Sequence, residues 1–382
     1  MTRNVRTPII WFGMFMALML FQTSYMNLGT ITAFITLSLT IFTAFTSGNT
    51  SVRRFYVPGV SKMLIVFLVV TSLITIISGN LPSYYTKYVA QILLCIVLMA
   101  IPSLDENEAD FLKKVFIIAS VVYAILAIRS CYQLGASRYY HGSIILFNTV
   151  LDPNFIGIPI VAASSLVLNN ILEGKKRLIN VFCYVILAVA IVYTASRSNL
   201  LCLLFSNSLV LLFFLKKRDT PIWIRVIWIV VVLVGALYIS GYFASNFSQQ
   251  WERMTVFGEG SDNGRFELWN KAFDAWKKSP ILGNGLGAMY QTNGKASHNT
   301  YFQLLSETGL LGLCIFVSFA IHLLFKMYRT NKVYFCLLIG CLMQIAFLDA
   351  LENRCLWVIL CWFSLLPNEM EVFNYDDKKI TL

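Results

Sequence analysis

KKRLINVFCYVILAVAIVYTASRSNLLCLLFSNSLVLLFFLKKR, residues 175–218, holds two uncharged apolar runs between two basic triplets, with Arg197 alone at the turn between them. Each run approaches the roughly 20 residues a helix needs to cross about 30 Å of hydrocarbon, so the stretch reads as a membrane helical hairpin with spans at 180–196 and 199–215. Short loops rich in Lys and Arg stay in the cytoplasm, so both triplets mark that side. Arg197 then lies at the outer tip, where topology asks for no positive charge. The turn itself is very tight, with only Ser196 to Asn199 to make it.

The same pattern repeats in both directions. Further spans are expected at 8–27, 29–47, 63–79, 88–103, 112–131, 155–172, 222–241, 309–326, 333–350 and 355–367, giving about twelve in all. Pro8 suits a first helical turn, where its missing N–H would be unpaired in any case. Composition agrees: 58% of the 382 residues are hydrophobic and 13% charged, far from the half-apolar, quarter-charged balance of a soluble domain. The 18 Tyr and 29 Phe suit a chain with two membrane interfaces to line. No small-residue cleavage site follows the first run, so it reads as a span and not as a signal peptide.

With the N-terminus in the cytoplasm, 19 of the 30 Lys and Arg fall inside, among them Arg3, Arg6, Lys62, Lys113, Lys114, Lys326, Arg329 and Lys332. The C-terminus is cytoplasmic too. The net charge of +11 is a topology signal and calls for no nucleic acid. The nine cysteines fall mostly within spans, where they act as small apolar residues, and no Cys/His spacing suggests a metal.

The chain reads as one polytopic membrane domain, 1–382, with two outward segments too long to be connectors: 132–154 and 242–308. Loops on a rigid scaffold are where sites usually sit. The longer one has local structure of its own. Ser261, Asp262 and Asn263 are N-cap types, and apolar residues at 266, 269, 273 and 276 make a helical stripe that Ser279-Pro280 ends. Such an aromatic amphipathic helix suits the membrane interface or a packing role against the bundle.

His298 stands in this loop as an outer-face imidazole, a group able to exchange a proton with a hydroxyl near neutral pH. Arg265 begins the amphipathic helix, where free N–H groups already favour anions. Guanidinium groups grip phosphate in two-pronged fashion, so Arg197 and Arg265 near a histidine suit a phosphorylated lipid. The plain alternative for Arg265 is an ion pair with Glu267 or Asp262. His141 and Asp152 sit in the shorter loop, where contact and catalysis are not separable. Glu307 is nine residues from His298, on roughly the opposite face of a continuous helix, so the two are not paired. His322 is most simply a packed or snorkelling residue.

Three pieces of sequence resemble the O-antigen ligase and O-antigen or capsular polysaccharide polymerase superfamily of bacterial envelopes. They are Thr194-Ala195-Ser196-Arg197-Ser198-Asn199-Leu200; Gly264-Arg265 with Trp269, Ala272 and the run Ser279 to Gly285; and His298-Asn299 with Glu307-Thr308-Gly309 and Gly312. The likeness covers about 190–325. It implies an all-α integral membrane fold of GT-C-like type with a large periplasmic or extracellular loop, in the bacterial cytoplasmic membrane. It also implies an inverting glycosyltransferase that needs neither metal nor cofactor; the sequence has no outward Asp-x-Asp pair. The implied donor is an undecaprenyl-diphosphate-linked glycan. The acceptor would be a second lipid-linked repeat unit (polymerase) or lipid A-core (ligase), with membrane lipids and a chain-length regulator protein as further partners. By motif position Arg197 and Arg265 would hold the diphosphate and His298 would act on the incoming hydroxyl. Asn299, Glu307, His141 and Asp152 would support them. The run His298-Asn299-Thr300-Tyr301-Phe302-Gln303-Leu304-Leu305 looks more like the polymerases. A transporter or flippase of lipid-linked sugars is the rival, but such proteins place ionisable groups deep in the membrane. Here Arg129, Arg225 and Asp349 lie toward span ends, and no inverted repeat is visible.

Overall fold

The computed structural model describes residues 5–18, 35–36, 38–39, 59–79, 85–99, 103–134, 144–146, 149–151, 153–217, 221–223, 264–351 and 353–367. Helices dominate: α1 (Thr7–Leu18), α2 (Gly59–Ile77), α3 (Tyr85–Leu98), α4 (Glu106–Leu134), α5 (Pro153–Leu172), α6 (Arg177–Tyr193) and α7 (Arg197–Lys217), then α8 (Arg265–Lys278), α9 (Ala288–Asn293), α10 (Thr300–Thr330), α11 (Lys332–Gln344) and α12 (Arg354–Leu365). One short hairpin accompanies them: β1 (Ile144–Leu146) pairs antiparallel with β2 (Thr149–Leu151) inside the segment 132–154. Its β-branched residues at 144, 145, 149 and 150 suit a strand.

Four helices are long and apolar enough to cross a membrane: 106–133, 154–172, 197–216 and 300–330. Shorter apolar helices cover 7–18, 62–77, 177–193, 332–347 and 355–365. The expected spans 29–47 and 222–241 lie almost wholly outside the described residues. Counting apolar residues overstated some lengths because apolar chain here is not always helical. The run expected at 333–350 is helix only to Gln344; a 3-10 turn at Ile345–Phe347 follows, and Leu348 is extended. Likewise the expected span at 88–103 ends its helix at Leu98.

α5 is the helix at the centre: Ile156, Ile158, Ile160, Val161, Ala162, Ala163, Leu166 and Val167 are all buried. Small residues let neighbours approach it and each other closely, as bilayer packing requires where no hydrophobic force holds helices together. A Cβ on Gly157 would overlap Asn199 and Gln344, and one on Gly340 would press on Ser206 at 2.8 Å. At the other side Trp362 packs on Phe116 and Tyr334, both with ring centroids 5.5 Å away.

Hydrogen bonds sort the helix ends into two sets. Arg6 pairs with Glu108 at 2.6 Å, Leu104 N–H bonds Leu365 O, Lys113 reaches Asn170 and Lys326 reaches Ser364 O. With the turn at 173–176 and Lys332, these gather Arg6, Lys113, Lys175, Lys326 and Lys332 at one end. The opposite end holds the 194–196 turn, His298 and residues 344–351. The tight turn expected near 196–199 is there: α6 stops at Tyr193 and α7 begins at Arg197, with Ala195 at φ 50°.

Candidate active site

His298 is the corner before α10. Ser297 Oγ donates to Asn299 O at 2.6 Å and accepts from Asn299 N–H at 3.3 Å, so the two flanking residues bond each other across it. The histidine takes the left-handed backbone at φ 53°, a conformation uncommon outside glycine and one that gathers at functional sites. Asn299 then caps α10, its Oδ1 accepting from Tyr301 N–H at 2.9 Å and Phe302 N–H at 3.1 Å. Capping gives Asn299 a structural role.

The imidazole has a partner that the sequence reading missed. His298 Nδ1 lies 3.0 Å from Asp349 Oδ2; the histidine side chain is 38% exposed and the aspartate 10%. A carboxylate on Nδ1 accepts that N–H and leaves Nε2 with its lone pair available. Asp349 is delivered by Thr300, whose hydroxyl donates to Leu348 O at 2.7 Å and accepts from Ala350 N–H at 2.8 Å. The residue after the N-cap thus clamps the extended segment on both sides of Asp349. Its other oxygen, Oδ1, is buried with no hydrogen-bond partner among the described residues. The only signal in the sequence was a lone carboxylate closing an apolar run.

Arg265 comes to the level of His298 through the register of two parallel segments. Trp269 stacks on Phe302 with centroids 5.6 Å apart. Farther along, Asn284 Nδ2 donates to Ala275 O at 2.9 Å and to Ser306 O at 2.8 Å, and Leu310 N–H bonds Pro280 O. The pairs 269/302, 275/306 and 280/310 run in one direction. Arg265 precedes Trp269 by one turn and His298 precedes Phe302 by the same interval. Glu267 pairs with Lys271 at 2.6 Å, which holds its carboxyl below the usual range. The N-cap of α8 is Gly264, with no side-chain cap, and Ser261, Asp262 and Asn263 lie outside the described residues.

The stripe expected on α8 faces the other way in part. Leu268 and Ala272 are buried against α10, whereas Phe266 and Phe273 are exposed. The helix packs on the bundle and still turns aromatic rings outward.

Where α8 ends, its exit loop enters a break in α10. Gly309 sits at φ 63° inside that helix. Ser306 O and Glu307 O would ordinarily accept from Leu310 and Leu311 within the helix; they accept instead from Asn284 N–H and Gly285 N–H. Leu310 and Leu311 N–H bond Pro280 O and Ile281 O. The loop and the broken helix exchange backbone partners, so neither is left with unpaired groups. The run Ser279 to Gly285 therefore has a mechanical role.

Glu307 does not meet His298, in line with their helical spacing. It is fully buried, accepts from Met289 N–H at 3.2 Å and lies 3.3 Å from Gln303 Nε2, which also reaches Tyr88. It holds the start of α9. His322 is exposed on α10 and is not packed. His141 and Asp152 lie outside the described residues. Among the described residues no group of three His, Cys, Asp or Glu could hold a metal ion.

Arg197 heads α7 on a buried polar turn. Ser196 Oγ donates to Asn154 Oδ1 at 2.7 Å and lies 3.1 Å from Ser198 Oγ. Gln344 Nε2 donates to Asn199 Oδ1 at 2.6 Å. Arg197, Arg265 and the His298–Asp349 pair thus lie at one end of the bundle, on four separate chain segments.

Residues 182–317 match the family model described as O-antigen ligase. The match spans less than half of the chain and is a likeness of that region to the O-antigen ligase family. It contains Arg197, Arg265 and His298; Asp349 lies beyond it. No curated protein matches the chain.

Proposed function

We propose that this chain, carrying an O-antigen ligase-type region, polymerises undecaprenyl-diphosphate-linked oligosaccharide repeat units into O-antigen or capsular polysaccharide on the outer face of the cytoplasmic membrane. The observation that carries the reading is the His298–Asp349 pair at the end of the bundle shared with Arg197 and Arg265. In the proposed step the acceptor hydroxyl oxygen attacks the anomeric carbon as the bond to the diphosphate breaks, inverting that centre. The hydroxyl proton passes to Nε2 of His298, and Asp349 stabilises the imidazolium that forms. The electron pair leaves with the diphosphate, whose growing charge Arg197 and Arg265 take up. Charge stabilisation by two guanidinium groups supplies what a metal would otherwise do.

Sidedness is supported by the separation of charge: Arg6, Lys113, Lys175, Lys326 and Lys332 gather at the opposite end from His298, as cytoplasmic cations would. Transfer to lipid A-core is the second reading, favoured by the description of the matched family. The run from His298 to Leu305 favours polymerisation.

A gel of surface glycans from a deletion strain tests these. Core bearing one repeat unit is the expected result. Unsubstituted core, with polymer left on the lipid carrier, overturns polymerase in favour of ligase. Full-length glycan that is blocked in export overturns both in favour of transport. In the complemented strain Arg265→Lys is expected to extend glycan roughly 10–100-fold more slowly, from about 1.5–3 kcal/mol of charge-assisted hydrogen bonding that a point charge does not reproduce. Wild-type rates in that variant would leave simple charge attraction as the better account.

A further inference from the structure

Besides Arg265 on α8, the proposed chemistry rests on two turns, Arg197 at the start of α7 and the His298–Asp349 pair beside α10. One buried amide joins them. Gln344, the last residue of α11, is inaccessible to solvent, as is Asn199, two residues after Arg197. The 2.6 Å bond between them ties the start of α7 to the end of α11, and Gln344 Nε2 also lies 3.5 Å from Asn154 O. Asn199 is held in turn by the Arg197 turn itself, its N–H reaching Ser196 Oγ at 3.4 Å. Asp349 follows Gln344 by five residues, through the single 3-10 turn and the extended Leu348. Gly157 of α5 backs both amides, leaving no room for a Cβ. Gln344 Oε1 is buried with no hydrogen-bond partner among the described residues. An unmet buried acceptor costs about 1–3 kcal/mol, and that cost is retained most readily where a residue serves a site.

Resting on the reading above, we propose that Gln344 is a positioning residue: it fixes the Arg197 turn and the Asp349 segment in one register, so that the leaving group and the proton acceptor are placed together. A second buried polar cluster on the same helices supplies the contrast. Asn207 bonds Ser164 at 3.2 Å and Tyr184 at 3.0 Å and reaches Ser165 at 3.1 Å, deep between α5, α6 and α7 and away from both turns. It is helix-to-helix glue of ordinary kind.

The test uses the full chain in lipid nanodiscs, with hydrogen exchange measured over 194–199 and 345–350 and turnover measured at saturating lipid-linked donor. Gln344→Ala is expected to speed exchange in both segments together and lower turnover about 10–100-fold, the scale of a misplacement near 1 Å. The donor KM should change less than kcat. Gln344→Met keeps the volume without the amide and should behave alike, which guards against a variant that merely fails to fold. Asn199→Ala should have the same effect, and the double variant should be no worse than either single one. Asn207→Ala should lower thermal stability and leave both segments and turnover unchanged. Normal turnover with unchanged exchange in Gln344→Met overturns the proposal, as do losses that multiply in the double variant. His298→Ala run alongside separates the two claims. If it turns over normally, the chemical reading falls, and the exchange data still decide whether Gln344 ties the segments.

Discussion

Asp349→Asn should slow glycan transfer by about 10²–10⁴-fold while the protein inserts and folds as before. The substitution keeps shape and removes charge. In the native pair the carboxylate can only accept, so Nδ1 of His298 must carry the hydrogen and Nε2 must be the open nitrogen. An asparagine amide can donate to Nδ1 as easily as accept from it, so the ring is free to hold its hydrogen on the wrong side. The imidazolium formed during transfer also loses its neighbouring negative charge. His298→Ala should be at least as damaging, and the two changes together no worse than His298→Ala alone, because Asp349 acts through the ring. Single-turnover rates on purified protein, with donor binding measured separately, check this; binding should change little, since the proposed step gives contact with diphosphate to the arginines. An Asp349→Asn enzyme within threefold of wild type would reduce the carboxylate to a structural neighbour.

The second large effect concerns stability. A Cβ on Gly283 would lie 2.5 Å from the carbonyl carbon of Glu307 and from the nitrogens of Thr308 and Gly309, and one on Gly309 would overlap the carbonyl of Ile281. Both glycines also have positive φ, 72° and 63°. The obstructing atoms are backbone on each side, so no side chain can swing away. Left-handed strain and overpacking together predict a loss of roughly 2–5 kcal/mol for Gly283→Ala or Gly309→Ala. Gly264 is the control: its φ of 71° is as strained, but among the described residues nothing lies within 4 Å of its would-be Cβ. Gly264→Ala should lose only about 1–2 kcal/mol. Thermal unfolding in detergent, followed by tryptophan fluorescence, should rank the variants in that order; equal shifts for all three would mean that the backbone exchange contributes little.

How much of this was legible beforehand depended on how local the cause was. Alternating apolar runs and basic triplets separate the two ends of the bundle, because each signal lies within one turn or one span. Asn299 as a cap and His298 at a corner are likewise matters of neighbouring residues. Asp349 was not legible as the partner of His298: 51 positions separate them, and the contact exists only because Thr300 clamps the strand carrying the carboxylate. The stripe on α8 was legible as a period but not as a direction, since Phe266 and Leu268 are both apolar and only the docking on α10 decides which is buried. The break at Gly309 was hidden for a related reason. Its cause, the loop from Pro280 to Gly285, precedes it by more than twenty residues, and both ends of the exchange are main chain.

That break has a consequence for how the chain meets the bilayer. At 31 residues α10 would be about 46 Å long if straight, well beyond the roughly 30 Å of hydrocarbon available. Ended electrically at Glu307 and begun afresh at Leu310, the stretch to Thr330 is about 31 Å. That length is close to the hydrocarbon thickness a single helix has to cross. In the proposed reading, the nine residues before the break would hold the histidine clear of the acyl chains, at the depth where a lipid-borne phosphate would meet it.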